Sequence, residues 1–190
     1  MKQILQYLVP LLLLLLCFKT YARQDDHRYL SSHIYEEGGV GFTGDYHLPL
    51  EIVFQKDGKA IIGGQFSAYN GHPVTALIRL NQDGSLDNSF NSKVRFELSV
   101  QGEPAVSEIV QQPDGKLIVS GIFDSYKGWP AKSIIRLNPD GSRDHSFDAG
   151  TGFDGNIRAL ALQPDGKLLV AGSFTTFRGN PVSEIVRLNP

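Results

Sequence analysis

Two glycine-rich stretches have a spacing that could serve nucleotide binding. Both fit the pattern Gly-x-Gly-x-x-Gly, one over residues 39–44 and the other over residues 150–155. A dinucleotide loop needs a strand before it and a helix after it, so that the helix N-terminus meets the pyrophosphate. Here Pro49 follows the first stretch and a strand candidate follows the second. The pattern therefore predicts connecting loops, and no cofactor is expected.

Two acidic loops have a composition that could serve calcium binding. Residues 81–87 and 138–144 both read Asn-x-Asp-Gly-Ser-x-Asp. In the helix–loop–helix calcium pattern the first ligand would fall on Arg79 and the twelfth on Phe90, and neither side chain coordinates calcium. Turn capping by asparagine and aspartate side chains explains the same residues. No metal site is assigned, although a looser calcium site stays open to a thermal test with calcium and chelator.

Catalytic patterns are missing from the sequence. The histidines do not cluster with cysteine or carboxylate residues at the spacing of metal ligands. There are five of them: His27, His33, His47, His72 and His145. The chain contains neither a Gly-x-Ser-x-Gly nucleophile turn nor a His-Glu-x-x-His pair. No catalytic residue is assigned from the sequence.

These loops belong to a long internal repeat. The segment Gln-x-Asp-Gly-Lys occurs at residues 55–59, 112–116 and 163–167, and Arg-Leu-Asn occurs at residues 79–81, 136–138 and 187–189. Both landmarks advance by 57 and then by 51 residues. A period of this size is typical of stacked units or propeller blades, in which each copy buries its apolar face on its neighbour.

Each repeat contains several short strand candidates separated by turn residues. In the third copy they cover residues 157–163, 167–174 and 184–189, with a Pro-Asp-Gly turn at 164–166 and a loop at 175–181. In the second copy the third strand covers residues 133–138, and residues 142–147 form a short fourth strand. Four short antiparallel strands match one propeller blade. The sequence predicts an all-β fold with no helix after the N-terminal segment.

The repeated motifs resemble those of the delta-60 repeat family, a group of propeller-like repeats in exported bacterial proteins. The resemblance rests on the Gln-Pro-Asp-Gly-Lys turn, the Gly-x-Phe ending of the second strand, and the segment Arg-Leu-Asn-Pro-Asp-Gly-Ser-x-Asp-x-Ser-Phe. That segment occupies residues 136–147, and residues 79–90 repeat it with Gln82 in place of proline. The similarity covers residues 35–190. It implies a β-propeller on an exported protein, and it implies no reaction.

The N-terminal segment is typical of a signal peptide. Lys2 provides a positive start, and an apolar run from Ile4 to Phe18 is shorter than the roughly 20 residues of a spanning helix. Cleavage near Ala22 would leave 16 basic and 20 acidic residues, a net charge of −4. That balance gives no basic face for nucleic acid. We expect a secreted or cell-surface protein that meets the membrane only during export.

The chain divides into five segments on this interpretation. Residues 1–22 are the signal peptide, 23–34 a lead-in, 35–89 repeat 1, 90–146 repeat 2 and 147–190 a truncated repeat 3. Closed propellers usually need about four to eight blades. We therefore expect a fragment of a longer protein with further blades, or alternatively a three-blade unit that completes a ring as a homo-oligomer.

Recurring charged and aromatic residues are expected to be structural. The arginines would pair between strands either with the turn aspartates or with Asp87 and Asp144. These braces are Arg79, Arg136 and Arg187 with Asp57, Asp114 and Asp165. Aromatic rings at fixed positions would fill the space between blades. They are Phe66, Phe123 and Phe174; Tyr69, Tyr126 and Phe177; and Phe90 and Phe147, with Tyr35 at the matching place in the first copy.

One loop varies while its frame stays fixed. It reads Tyr-Asn-Gly-His-Pro over residues 69–73, Tyr-Lys-Gly-Trp-Pro over 126–130 and Phe-Arg-Gly-Asn-Pro over 177–181. Loops on a rigid scaffold often carry recognition. The candidate residues for binding a protein or glycan are Asn70, His72, Lys127, Trp129, Arg178 and Asn180. The sequence thus predicts an exported, non-catalytic binding or scaffolding module. The alternative is a hydrolase or lyase for an extracellular polymer, with its active site in the central channel or beyond residue 190.

Overall fold

The computed structural model describes residues 41–44 and 46–189, which form three similar units of short antiparallel strands. The signal peptide, the lead-in and Tyr35 therefore lie outside the described residues. Within the described residues, no helix is long and apolar enough to cross a membrane.

The elements follow the repeat. Repeat 1 contains β1 (Phe42–Thr43), β2 (Leu48–Phe54), β3 (Ala60–Gln65), β4 (Ala68–Tyr69), β5 (His72–Pro73) and β6 (Leu77–Leu80), and α1 (Asn88–Asn91) follows at its boundary with repeat 2. Repeat 2 contains β7 (Phe96–Glu97), β8 (Ala105–Gln111), β9 (Leu117–Ile122), β10 (Ser125–Tyr126), β11 (Trp129–Pro130) and β12 (Ile134–Leu137). Repeat 3 contains β13 (Asn156–Leu162), β14 (Leu168–Ser173), β15 (Thr176–Phe177), β16 (Asn180–Pro181) and β17 (Ile185–Leu188).

Each repeat has one main antiparallel sheet of three strands. The strand orders are β2-β3-β6, β8-β9-β12 and β13-β14-β17. The turn between the first two strands is the predicted one: in repeat 2, Gln112 N donates to Lys116 O at 2.8 Å and Gly115 N donates to Gln112 O at 2.9 Å. Gly115 has φ +85°, which glycine adopts without strain. The all-β prediction is confirmed.

The predicted fourth strand is reduced to a single bridge. Leu86 pairs with Leu80 in repeat 1, and Arg143 pairs with Leu137 in repeat 2. The chain then turns away, because the Asp87 side chain accepts from Ser89 N at 3.0 Å and caps the short helix α1. The expectation of no helix was therefore wrong at this one place.

The first strand of each main sheet contains a bulge. The register shifts between Pro49 and Glu51 in β2, and equivalent shifts occur in β8 and β13. The partner strand has a glycine opposite this bulge, as at Gly121 in β9. A Cβ there would lie 2.0 Å from Ala105 O, so the position accepts glycine alone. Bulges bend the strand and increase its twist.

The repeats pack side by side through their first strands. β8 contacts β2 and β3 of repeat 1, and β13 contacts β8 and β9 of repeat 2. Arg79 adds a polar link, since its Nη1 donates to Pro139 O of repeat 2 at 2.7 Å. The segments that connect the repeats differ in length, with residues 91–104 before β8 and residues 148–155 before β13. No closed ring of sheets forms among the described residues.

Each sheet has a forward face, which is the side directed toward the following repeat. Ile61 and Leu77 of repeat 1 pack in one cluster with Val106 and Ile109 of repeat 2. In the same way, repeat 2 packs its forward face against repeat 3 in a second cluster. The forward face of repeat 3 is open, and Ile185 is 58% exposed there.

Phe123 and Phe174 lie in the clusters between repeats as predicted, whereas Phe66 packs within repeat 1. Phe66, Phe123 and Phe174 are buried at the end of the second strand in each repeat. Tyr126 is also fully buried, whereas Tyr69 and Phe177 are partly buried. Phe96 contacts Phe123 and Tyr126 with ring centroids 4.7 and 5.0 Å apart. These rings hold the base of the variable segment described below.

Candidate functional site: the hairpin tips

Each variable segment is a tight β-hairpin and not the predicted loop. β4 pairs with β5, β10 with β11, and β15 with β16. Both central residues of each turn have positive φ, as Lys127 (+51°) and Gly128 (+77°) do in repeat 2. This is the geometry of a type I′ turn, which matches the twist of the flanking strands. Asn-Gly, Lys-Gly and Arg-Gly thus adopt one backbone shape in the three repeats.

The base of each hairpin is anchored to its own repeat. Phe96 of β7 pairs with Tyr126 of β10, and the Tyr126 hydroxyl donates to Gly141 O at 2.5 Å. Burial, reinforced by the negative charge of Asp140, raises the pKa of the Tyr126 phenol far above its ordinary value. The hydroxyl therefore keeps its proton and remains a donor. Tyr69 plays the same part in repeat 1, donating to Gly84 O at 3.1 Å.

All six binding candidates from the sequence lie exposed at the hairpin tips. The structure groups them in pairs, one pair on each hairpin, at equivalent places of the three repeats. The pairs are Asn70 with His72, Lys127 with Trp129, and Arg178 with Asn180. Because equivalent positions of stacked repeats map to one side of the stack, the tips form a row. We call this row the tip surface.

The two outer tips have their polar groups engaged locally. Asn70 Oδ1 accepts from Gly41 N at 2.6 Å. Arg178 Nη2 pairs with Asp148 Oδ2 at 2.5 Å, and Asn180 Nδ2 donates to Arg178 O at 3.3 Å. These contacts stabilise the hairpins and leave the groups involved less available for a ligand.

The central tip is an aromatic and cationic cluster. Trp129 is 56% exposed, and the Arg143 guanidinium lies over its ring, 5.4 Å from the centroid. His145 contacts the indole edge-on, with centroids 6.1 Å apart and an interplanar angle of 85°. The sequence pointed to Trp129 but not to its two neighbours. The sequence signal that could have identified Arg143 and His145 is that they differ from the equivalent residues of repeat 1, Leu86 and Asn88.

The recurring arginines pair with the second set of aspartates. Arg79 Nε lies 2.8 Å from Asp87 Oδ2, and Arg136 Nε lies 2.7 Å from Asp144 Oδ2. A lysine joins each pair, with Lys116 Nζ 3.0 Å from Asp144 Oδ2. Such charged groups, buried together, link three segments of one repeat.

Asp144 stays ionised in this setting. Burial alone would raise its pKa, but hydrogen bonds from Ser146, Lys116 and Arg136 outweigh that effect and hold the pKa well below the ordinary value of 3.8. Asp87 has the same balance of effects, with Lys59, Ser89 and Arg79 as partners.

The turn aspartates have a local role instead. Asp57 and Asp114 accept from the backbone N–H two residues later, at 3.2 and 3.1 Å. Asp165 does the same and also pairs with Lys167 at 2.8 Å. Arg187 is exposed on β17 and forms no ion pair within the described residues.

The acidic stretches behave as turns. Asn81 O accepts from Gly84 N at 3.0 Å, and Asp83 Oδ1 accepts from Ser85 N at 3.0 Å. The Asn138 turn in repeat 2 has equivalent contacts. Among residues 41–44 and 46–189, no group of three or more histidine, cysteine or acidic residues could hold a metal ion. The stretch at 150–155 connects repeats 2 and 3 and is not followed by a helix.

The repeated sheets, packed through their first strands, define a β-propeller repeat protein. The chain belongs to the family described as domain of unknown function (DUF5122) beta-propeller, whose profile matches residues 55–90, 112–147 and 163–190. Each matched segment begins at the glutamine of the first turn. Comparison with curated proteins and with solved structures gave no match.

Proposed function

We propose that this chain is an exported, non-catalytic β-propeller module of the delta-60 repeat type that binds a partner at the bacterial surface through its tip surface. One observation carries the proposal: three hairpins share the same backbone, yet present different exposed side chains. A frame that is kept while its tips vary is the arrangement expected of a recognition surface on a rigid scaffold.

The chemistry of the tips supports binding more than turnover. His72, Trp129 and Asn180 occupy the same hairpin position and are all exposed. An exposed indole on an anchored hairpin offers a large apolar contact at little entropic cost, which suits a protein or glycan partner. The charged groups that are well buried, such as Asp144, are engaged with neighbouring arginine and lysine side chains.

Export and binding are tested together on protein recovered from a culture of the source cells. A mature form beginning near Arg23 in the medium or envelope fraction supports export, and retention of residues 1–22 on cytoplasmic protein contradicts it. For binding, purified protein is titrated against washed envelope fragments. A triple variant with His72→Ser, Trp129→Ser and Asn180→Ser is expected to lose most of the saturable binding.

The control for that experiment is Val100→Ser, which changes a residue that is 65% exposed and is not part of any of the three hairpins. The control should bind like the unmodified protein, and thermal melting should show that both variants are folded. Unchanged binding of the triple variant would refute the role of the tip surface. Turnover of glycan, ester or peptide substrates that a substitution within residues 41–189 abolishes would refute the non-catalytic interpretation.

A further inference from the structure

We infer that Trp129, Arg143 and His145 form a binding site for an acidic sugar, in which the indole stacks on the sugar ring and Arg143 binds its carboxylate. This inference rests on the proposed function, because it names the ligand class for the central tip. We call these three residues the Trp129 cluster.

The Trp129 cluster differs from repeat 1 at all three of its positions. Its three positions are occupied by His72, Leu86 and Asn88 in repeat 1, and Asn180 takes the place of the tryptophan in repeat 3. Residues that serve only the fold recur in this chain, as Arg79 and Arg136 do. Three departures from repeat 1, two of which place side chains against the third, therefore indicate a local role beyond the fold.

The backbone under the Trp129 cluster is well fixed. Trp129 pairs with Tyr126 across the hairpin, and Tyr126 is fully buried. Arg143 pairs with Leu137 through its backbone bridge, and Leu137 is also fully buried. The side chains of the cluster thus project from ordered positions, which lowers the entropic cost of binding a ligand.

The indole offers a platform for a sugar ring. The Arg143 guanidinium covers one side and His145 touches the edge, yet more than half of the Trp129 side chain remains exposed. The exposed aromatic surface can bury the apolar C–H face of a pyranose ring. The contacts with Arg143 and His145 restrict the rotation of the indole.

Arg143 is available for an anion. No carboxylate lies within ion-pair distance of Arg143 in the part of the chain that the structure describes. Arginine binds carboxylates through two parallel N–H donors, and stacking on an aromatic ring leaves those donors at its edge free. Asp148 is the one acid beside the shallow depression next to Arg143, and it is already paired with Arg178.

The ligand class follows from these two groups together. A neutral sugar would use the indole alone, and a simple anion would use Arg143 alone. A hexuronate uses both, since its carboxylate lies at the rim of a ring that can stack.

The experiment uses the fact that Trp129 is the only tryptophan of the chain, so that intrinsic fluorescence reports on the site directly. Purified protein is titrated with tetragalacturonate and, separately, with tetramannuronate. The neutral controls are the methyl esters of the same oligosaccharides. We expect a saturable fluorescence change with at least one acid, and at least tenfold weaker binding of its ester.

Variants assign the carboxylate contact. Arg143→Gln is expected to weaken binding of the acid by tenfold or more while the ester is little affected. Lys56→Gln removes an exposed positive charge from the first turn of repeat 1 and is the matched charge control. It should leave the affinity within twofold of the unmodified protein. Trp129→His, which restores the repeat 1 residue, should abolish binding measured by calorimetry.

Three results would overturn the inference: no saturable binding of either acid at millimolar concentration, equal affinity for acid and ester, or equal effects of Arg143→Gln and Lys56→Gln. These outcomes are distinct from failure of the proposed function. Uronate binding without envelope binding would leave the Trp129 cluster as a sugar site and refute the surface role. Envelope binding without uronate binding would support the surface role and refute the Trp129 cluster as a site for an acidic sugar.

Discussion

Ile134 and Ile185 occupy the same position in two repeats, and their different burial leads to a quantitative prediction. Ile134 on the forward face of repeat 2 is fully buried, with 0% exposure, whereas Ile185 on the forward face of repeat 3 is 58% exposed. Truncation of a buried isoleucine to alanine costs about 2–5 kcal/mol, part of it from the cavity left behind. Ile134 lies in one cluster with Phe153 and Ile157 of the next repeat, so Ile134→Ala should lower the free energy of unfolding by about 3–4 kcal/mol.

Truncation of Ile185 to alanine should cost much less stability. About two-fifths of its surface is withdrawn from water, and an open site leaves no closed cavity, so Ile185→Ala should lower the free energy of unfolding by about 1 kcal/mol or less. Leu77→Ala in repeat 1 is the positive control, since Leu77 is 1% exposed at the same position.

The assay is urea unfolding followed by circular dichroism and by Trp129 fluorescence. If the slopes with urea are unchanged, the shift in midpoint gives the loss of stability. The reasoning is refuted if Ile185→Ala costs as much as Ile134→Ala. Such a result would mean that the forward face of repeat 3 is covered in solution, and dependence of the Ile185→Ala effect on protein concentration would then show whether a second molecule covers it.

Two further predictions concern polar groups in the core. The folded pKa of Asp144 lies below its unfolded value of 3.8, so the stabilisation by its carboxylate is present above about pH 4 and is lost as the pH falls below that value. In urea titrations, Asp144→Asn should therefore lower the free energy of unfolding at pH 7 and flatten its decline between pH 5 and 2. An unchanged dependence of stability on acid pH would contradict this. Ser120 is fully buried, and its hydroxyl has no hydrogen-bond partner among the residues that the structure describes. Ser120→Ala should therefore keep or raise the free energy of unfolding, by up to roughly 1 kcal/mol. A loss above 1 kcal/mol would show that the hydroxyl is satisfied in solution.

Much of the fold could be predicted because the repeat places turn residues where the backbone needs them. The Asp-Gly pair at each first turn fixed the hairpin between the first two strands, and the constant spacing of Arg-Leu-Asn located the third. The fourth strand was overestimated for a local reason. Asp87 and Asp144 each accept from the backbone N–H two residues later, and such short-range bonds compete with strand pairing.

The candidate site was predictable only in part. Asn-Gly in repeat 1 is a strong type I′ signal, but Lys127 and Arg178 stand in the left-handed position of the other two turns, which hides the pattern. Trp129 stood out because of its residue type. Arg143 and His145 did not stand out, because they belong to the segment that was interpreted as a fourth strand. That segment contacts the hairpin tip only in the folded chain.

The unequal connectors between repeats bear on how the number of repeat units can change during evolution. The connector before β8 has 14 residues and the one before β13 has 8, which accounts for the whole difference between the two repeat spacings. The buried contacts between repeats keep fixed positions inside the unit. Recombination that inserts or deletes one unit at a connector would therefore reproduce a packing interface that already works. Duplication of a unit would change the number of blades, while the exposed residues at each new hairpin tip would be free to differ without loss of the turn.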